Sequence, residues 1–119
     1  MDIPKIFDSE YRFCLILWEH EPIGSTELAA LCKEQLGWSK ATTYTVIRRL
    51  AERGVLRNDH PTVSSLVSKE QVQQAELDEF VDRTFEGSIP AFIAAFSRSK
   101  RLSSDEVTQL QELIKNYKG

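Results

Sequence analysis

The sequence has no apolar run long enough to cross a membrane or to serve as a signal peptide, so we expect a cytoplasmic protein with no membrane insertion. It also has no glycine-rich phosphate loop, no HExxH motif and no recognisable pairing of nucleophile and base, so we expect that it is not an enzyme. Two cysteines and two histidines lack metal-ligand spacing, and both cysteines lie on apolar faces of predicted helices, typical of small buried hydrophobes. We therefore expect no metal and no cofactor.

Positive charge is also scarce, since 15 lysines and arginines stand against 18 acidic residues, a net charge of -3. Such a balance favours only modest non-specific affinity for nucleic acid. The cations are unevenly spread, however, because residues 38–58 hold five of them and a single acid, Glu52. A local field of this kind matters more at a DNA groove than the net charge of the chain.

Residues 37–54 have the pattern of a recognition helix. Gly37 can end a preceding helix in the left-handed conformation, and Ser39 can cap the next one. The spacing then predicts a buried face (Thr43, Val46, Ile47, Leu50) and an outward stripe (Ala41, Tyr44, Thr45, Arg48) flanked by Lys40, Arg49 and Arg53. The residues expected to meet DNA are Ser39, Lys40, Ala41, Thr42, Tyr44, Thr45, Arg48, Arg49, Arg53 and Arg57. Taken alone, the segment fits an amphipathic surface helix with solvated charges about equally well.

The flanking segments favour a winged helix-turn-helix over residues 1–67. Residues 25–36 are apolar-periodic and predict the first helix of the motif. Residues 8–20 predict a supporting helix with Tyr11, Leu15 and Trp18 on one side and an apolar surface widened by Cys14, Ile16 and Leu17. Trp38 precedes the capping serine and is expected to staple the helix entry against the core. Residues 55–59 and 62–68, interrupted at His60-Pro61, predict the β-hairpin of a wing.

Residues 68–119 are predicted to form a helical dimerisation domain, which makes the fold mainly α. Capping boxes at Ser68 with Gln71 and at Ser103 with Glu106 open two of its three short helices. Their apolar stripes exceed what one such layer can bury, which favours a partner subunit. The expected dimerisation residues are Val72, Phe80, Val81, Phe85, Phe92, Ile93, Phe96, Leu110, Leu113 and Ile114. The alternative is a monomer whose helices fold back on its own winged helix.

The order and spacing of several residues resemble the penicillinase repressor family of BlaI/MecI/CopY-type winged-helix transcriptional repressors. The resemblance covers nearly the whole chain and rests on Glu10, Leu17-Trp18, Pro22, Glu27, Trp38-Ser39, Thr42, Thr45, Arg49-Leu50, Gly54, Ser65-Leu66-Val67, Leu102-Ser103 and Asp105-Glu106. It implies a homodimeric repressor of an inverted-repeat, palindromic operator in double-stranded DNA, commonly with TACA and TGTA arms.

The resemblance also implies a means of release. Penicillinase-type members are cleaved through a sensor-protease pathway between an asparagine and a phenylalanine of the dimerisation region, and the corresponding bond here joins Ala95 to Phe96. The phenylalanine is retained and the asparagine is not, which favours the alternative that Phe92 and Phe96, one helical turn apart, are dimer core. The paired Cys-x-Cys motifs of the copper-responsive members are absent. The wing is shorter than in the methicillin-resistance repressor, which also has cations at the positions of Ala41 and Tyr44.

A second function fits the same features. A winged helix with an acidic balance and a short wing could be a protein-interaction module that does not bind DNA specifically. This alternative predicts partner binding that is insensitive to salt and to the loss of Arg48, whereas a DNA repressor requires the opposite.

Overall fold

The computed structural model describes residues 2–99 and 102–117 and forms two compact units, residues 1–76 and 77–119. The elements, in chain order, are α1 (Asp8–His20), β1 (Ile23–Gly24), α2 (Ser25–Leu36), α3 (Lys40–Glu52), β2 (Leu56–Asp59), β3 (Thr62–Ser65), α4 (Lys69–Phe85), α5 (Ile89–Ser99) and α6 (Ser104–Lys115). The prediction of a mainly α winged helix-turn-helix followed by a helical region is confirmed. The functional division at residues 67 and 68 stays a prediction.

The turn between α2 and α3 forms as the sequence predicts. Gly37 has a φ of 72°, in the left-handed region that a residue without Cβ adopts at little cost, and its N–H donates to the Lys33 carbonyl. Ser39 then caps α3, because its Oγ accepts a hydrogen bond of 3.1 Å from the Thr42 N–H. Two helices joined by this short turn are a helix-turn-helix.

The wing is the hairpin of β2 and β3, and it belongs to a three-stranded antiparallel sheet of order β1-β3-β2. Leu56 pairs with Ser65 at one end of the hairpin and Asp59 with Thr62 at the other, while Ile23 of β1 pairs with Val63. The sequence did not predict β1, because a strand of two residues leaves no readable alternation. Its pairing fixes the wing to the connection between α1 and α2.

The first unit has one hydrophobic core. Its fully buried large side chains come from the three helices, from β2 and β3 and from the residue before β2, and include Phe13, Leu17, Leu28, Ile47, Leu50, Val55, Leu56 and Val63. Burying each side chain of this kind contributes roughly 1.5–3 kcal/mol. The buried side of α1 was predicted only in part. Leu17 is fully covered, as predicted, and so is Phe13, which the prediction omitted, whereas Tyr11, Leu15 and Trp18 are only half-buried.

Trp18 lies at the edge of this core because its indole N–H has a polar partner there. It donates a hydrogen bond of 2.9 Å to the Val67 carbonyl, just before α4. Ser68 and Gln71 then form the predicted capping box, with reciprocal bonds of 3.0 and 2.8 Å. Val72, one turn into α4, is buried in the core of the first unit. The first turns of α4 therefore complete the winged-helix core.

The second unit is built around aromatic contacts. Phe80, Phe85 and Phe92 make three edge-to-face contacts with ring centroids 5.7–6.1 Å apart, and Phe96 extends the group from Phe92. Ser103 and Glu106 form the predicted capping box at the start of α6. Large apolar side chains nevertheless remain exposed on all three helices of this unit. They are Leu77, Phe80, Ile89, Ile93, Val107, Leu110, Leu113 and Ile114, with Tyr117 just beyond α6.

Candidate nucleic-acid interface

The predicted recognition helix α3 has one buried and one solvent-facing side. Thr43, Ile47 and Leu50 are buried, as their spacing requires, whereas Val46, predicted on the same face, is only half-buried. On the opposite side, Ala41 and Arg48 are exposed and Thr45 is half-buried, so the structure brings the outward stripe onto one face. Lys40 and Arg49, which flank it, are exposed as well. An exposed helix face with these polar and cationic side chains has the chemistry expected of a helix that enters a DNA major groove.

The amino-terminal end of α3 has two exposed hydroxyls. The Oγ of Ser39 and the Oγ1 of Thr42 lie 2.9 Å apart, and the serine oxygen also caps the helix. The positive end of the helix dipole and its free amides lie at the same place. An anion such as a phosphate oxygen is favoured at such a helix end.

Tyr44 differs from its prediction. The sequence predicted an exposed residue of the outward stripe, but the ring is half-buried and packs against the core of the first unit. The Nζ of Lys40 lies 5.7 Å from its ring centroid, a cation–π distance. Because part of the ring belongs to the core, Tyr44 offers a groove less of its surface than the prediction assumed.

Arg53 is the site residue that the structure places farthest from its predicted role. Its Nη1 and Nη2 donate to the two carboxylate oxygens of Glu10, at 2.7 and 2.9 Å. Nη2 also donates to the Lys5 carbonyl, and the guanidinium lies 5.4 Å from the Phe7 ring centroid. The guanidinium is therefore turned towards α1 and the amino-terminal segment. The prediction that Arg53 contacts DNA stays a prediction, and these contacts compete with a phosphate for its guanidinium.

The ion pair with Arg53 changes the pKa of Glu10. It is 8% exposed, and the Arg53 side-chain hydrogen bond lowers the pKa of its carboxyl, against a smaller rise from burial. The Phe7 N–H and the nearby charge of Arg49 lower it further. Sequence reasoning missed this pair because its partners lie 43 residues apart. The signal available in the sequence was Glu10 itself, an acid at the third position of α1 and one of the residues on which the family resemblance rests.

The wing supplies one of the predicted cations. Arg57 lies on β2, and its Nε is 2.6 Å from the Oδ2 of Asp59, with both side chains about two-thirds exposed. An exposed pair of this kind adds little stability, so it can open at small cost. The carboxylate reduces the positive field of the wing, which makes Arg57 a weaker candidate for phosphate contact than the cations of α3.

The predicted dimerisation residues fall into two groups. Val72 and Val81 are 2% and 3% exposed in the single chain, so neither has a side-chain surface to offer a partner. The others are half-buried or exposed in the second unit, and Leu113 and Ile114 are 68% and 74% exposed. Ala95 and Phe96 lie inside α5, both half-buried. The remaining apolar positions thus form the candidate surface for a second subunit.

Other kinds of site find little support in residues 2–99 and 102–117. Within these ranges no three side chains of the histidine, cysteine, aspartate or glutamate type come together as metal ligands. Nor does any described helix combine the length and apolarity needed to cross a membrane. Burial raises the pKa of the Cys14 thiol to about 12 and also raises that of Cys32, so both thiols are held in their neutral form.

Comparison with known proteins agrees with this architecture. The family described as Penicillinase repressor matches residues 6–116. The chain is 25% identical over 122 residues to the penicillinase repressor of Bacillus licheniformis, covering 98% of this chain and 94% of that protein. It is 23% identical over 114 residues to the methicillin resistance regulatory protein MecI of Staphylococcus aureus strain Mu50, covering 92% and 93%. The Mammaliicoccus sciuri MecI is 22% identical over the same length. The chain belongs to the penicillinase repressor family, whose members are transcriptional repressors and not enzymes.

Proposed function

We propose that the protein is a homodimeric repressor that binds an inverted-repeat DNA operator through α3. The observation that carries this proposal is the solvent-facing side of α3. There Arg48 and Arg49 are exposed, and neither is held in an ion pair within the described part of the chain. Two exposed guanidinium groups on the second helix of a helix-turn-helix are suited to DNA recognition.

The residues of this face divide by role. Arg48, in the centre of the stripe, would reach base edges, where a guanidinium pairs with guanine through two hydrogen bonds. Ala41 and Thr45 beside it can contact a thymine methyl. Lys40 and Arg49 at the flanks, with the hydroxyls at the helix start, would bind phosphates and fix the register. Few such contacts are available, so the salt dependence of binding should be shallow.

Dimerisation is supported by the exposed apolar residues of the second unit. Side chains such as Leu113 and Ile114 are mostly exposed in the single chain, and contiguous apolar surface of this kind usually marks an interface. A two-fold axis through such an interface would present two copies of α3 to DNA about one helical turn apart. An inverted repeat has the same symmetry.

The test of this function is a fluorescence-anisotropy titration of two duplexes, one with a TACA and TGTA dyad and one with the same bases scrambled. Each is titrated at two salt concentrations. We expect a preference for the dyad that persists at the higher salt, because base contacts are less salt-dependent than phosphate contacts. Equal or absent binding to both duplexes, together with salt-insensitive capture of a protein partner, would favour the protein-interaction function.

Arg48→Ala tests the assignment of the face. We expect the dyad to lose affinity by about tenfold, the order of one base contact, while binding to the scrambled duplex changes little. The matched control is Arg12→Ala, which removes the same charge from an exposed position of α1. Unchanged dyad affinity in Arg48→Ala would show that a different side of α3 faces the groove.

Ile114→Glu tests the dimer. A carboxylate placed in an apolar interface is costly to desolvate, so we expect dissociation to shift to at least about tenfold higher protein concentration in sedimentation equilibrium. Gln109→Glu adds the same charge elsewhere on α6 and should leave the dimer intact. If the wild-type protein sediments as a monomer, the result would instead support the alternative in which the helices fold back on their own chain.

Release by proteolysis is a separate part of the proposal. The bond between Ala95 and Phe96 lies within α5, so a protease must locally unwind the helix before it can cut. A cut there would separate Phe96 from Phe92, its aromatic neighbour, and so weaken the second unit. Mass spectrometry of the protein from cells exposed to a β-lactam would detect the two fragments. If the protein stays intact while its target genes are expressed, release does not depend on this cut, and Phe96 has only the role of a dimer-core residue.

A further inference from the structure

Both ends of the recognition helix are held by α1. Before α3 begins, the Trp38 ring stacks on Phe13, with centroids 6.1 Å apart and planes 6° from parallel. Where α3 ends, Arg53 binds Glu10, which lies one turn before Phe13 on α1. α1 thus sets the positions of Trp38, just before α3, and of Arg53, just after it. Two such points fix the direction of its axis.

The contact at the carboxyl-terminal end has a specific geometry. The two oxygens of Glu10 accept from the two terminal nitrogens of Arg53, and Oε1 also accepts from the Phe7 N–H at 2.9 Å. The guanidinium and carboxylate side chains are 32% and 11% exposed. Such a fork fixes the angle as well as the distance between its partners, which a lysine in place of the arginine could not do.

We propose that Glu10 and Arg53 are a positioning pair that orients α3 for its operator, and that Arg53 is not a phosphate ligand. The inference rests on the proposed DNA-binding function and adds a determinant of specificity to it. Base contacts require side chains placed to within a fraction of an ångström, whereas phosphate contacts tolerate small rotations. A tilt of α3 should therefore reduce the preference for the operator more than the affinity for DNA in general.

Glu10→Gln separates this role from direct contact, because the two make opposite predictions. Glu10 is a buried residue of α1 and has little surface of its own to offer DNA. If Arg53 were a phosphate ligand, releasing it from Glu10 would leave binding unchanged or make it tighter. If the pair positions α3, the same change should weaken operator binding. Glutamine keeps an oxygen that can accept the Phe7 N–H, so the start of α1 is preserved.

The experiment compares wild type, Glu10→Gln, Arg53→Lys and Arg53→Ala by anisotropy titration on dyad and scrambled duplexes over a series of salt concentrations. Thermal unfolding of each variant first fixes a temperature at which all are folded. Glu34→Gln, at an exposed position of α2, controls for the loss of one negative charge. We expect Glu10→Gln and Arg53→Lys each to lose about tenfold in dyad affinity, the order of one base contact, with an unchanged salt slope.

Two results would overturn the inference while the DNA-binding function stands. One is Glu10→Gln binding the dyad as tightly as the Glu34→Gln control does. The other is Arg53→Lys binding like wild type while Arg53→Ala reduces the salt slope by about one, as loss of a phosphate contact does. Wild-type protein that does not prefer the dyad or any other duplex would instead refute the DNA-binding function, and the positioning role with it.

Discussion

Replacing Thr43 with valine is expected to stabilise the protein. Thr43 lies on the buried side of α3 and is fully covered, and its Oγ1 has no hydrogen-bond partner of good geometry among the described residues. The neighbouring Cys32 thiol is a weak partner at best: burial raises the pKa of that thiol, and the Thr43 hydroxyl acts only as a smaller, opposing influence. On folding, a hydroxyl in this position loses its hydrogen bonds to water, and the protein replaces them only in part.

The magnitude follows from the cost of that hydroxyl. A buried, unsatisfied polar group costs about 1–3 kcal/mol. Valine has nearly the same shape as threonine and the same β-branching, so it should fill the site without strain or a change in helix propensity. Allowing for the thiol contact, we expect the free energy of unfolding to rise by about 1 kcal/mol, towards the lower end of that range.

The assay is urea unfolding followed by circular dichroism, since a shift of midpoint at constant slope reports stability alone. Thr43→Ser keeps the hydroxyl and loses the methyl, so it should be less stable than wild type. A lower unfolding free energy for Thr43→Val would show that the hydroxyl is satisfied in solution, and would refute the reasoning. DNA affinity should not change, because this side chain faces the core.

Two further predictions concern Glu10 and Gly37. The pKa of Glu10 lies below its ordinary value of 4.5, so its contribution to stability is present above that value and is lost as the pH falls through the lowered pKa. The stability difference between wild type and Glu10→Gln should therefore be constant near neutral pH and shrink below pH 4.5 in pH-dependent urea titrations. Gly37→Ala places a Cβ that meets no atom within 4 Å outside its two neighbours in the chain, so its cost is mainly backbone strain. We expect a loss of about 1–2 kcal/mol by the same urea assay, and a smaller loss for Gly37→Asn; equal losses would point to a cause other than the left-handed conformation.

Features that depend on local sequence were predictable. The helix spanning residues 25–36, the serine cap of α3 and both capping boxes follow from side chains within four positions of one another, and the structure confirms them. The hairpin could be placed as well, because Gly54 and His60-Pro61 interrupt two short β-branched segments.

Features that depend on tertiary contact were not predictable. The choice of Phe13 over Tyr11 for the buried side of α1 is made by packing, since both are aromatic and apolar periodicity admits either. Tyr44 is half-buried for the same reason. The partnership of Arg53 with Glu10 required the ends of α3 and α1 to meet, which neither segment encodes by itself. The sequence therefore located most accurately those candidate DNA-binding residues whose contacts are with residues nearby in the chain.

The beginning of α4 has a consequence for how repressors of this architecture can be recombined. Val72 fills the core of the first unit, although it follows the wing in the chain and belongs to a helix that continues to Phe85. A chimera joined immediately after the wing would inherit this core position from the other parent, and a smaller residue there would leave a cavity in the core of the first unit. A junction after Glu76 would carry the intact core with it. Exchange of the second unit between relatives should therefore succeed more often at a junction within α4 than at the end of the wing.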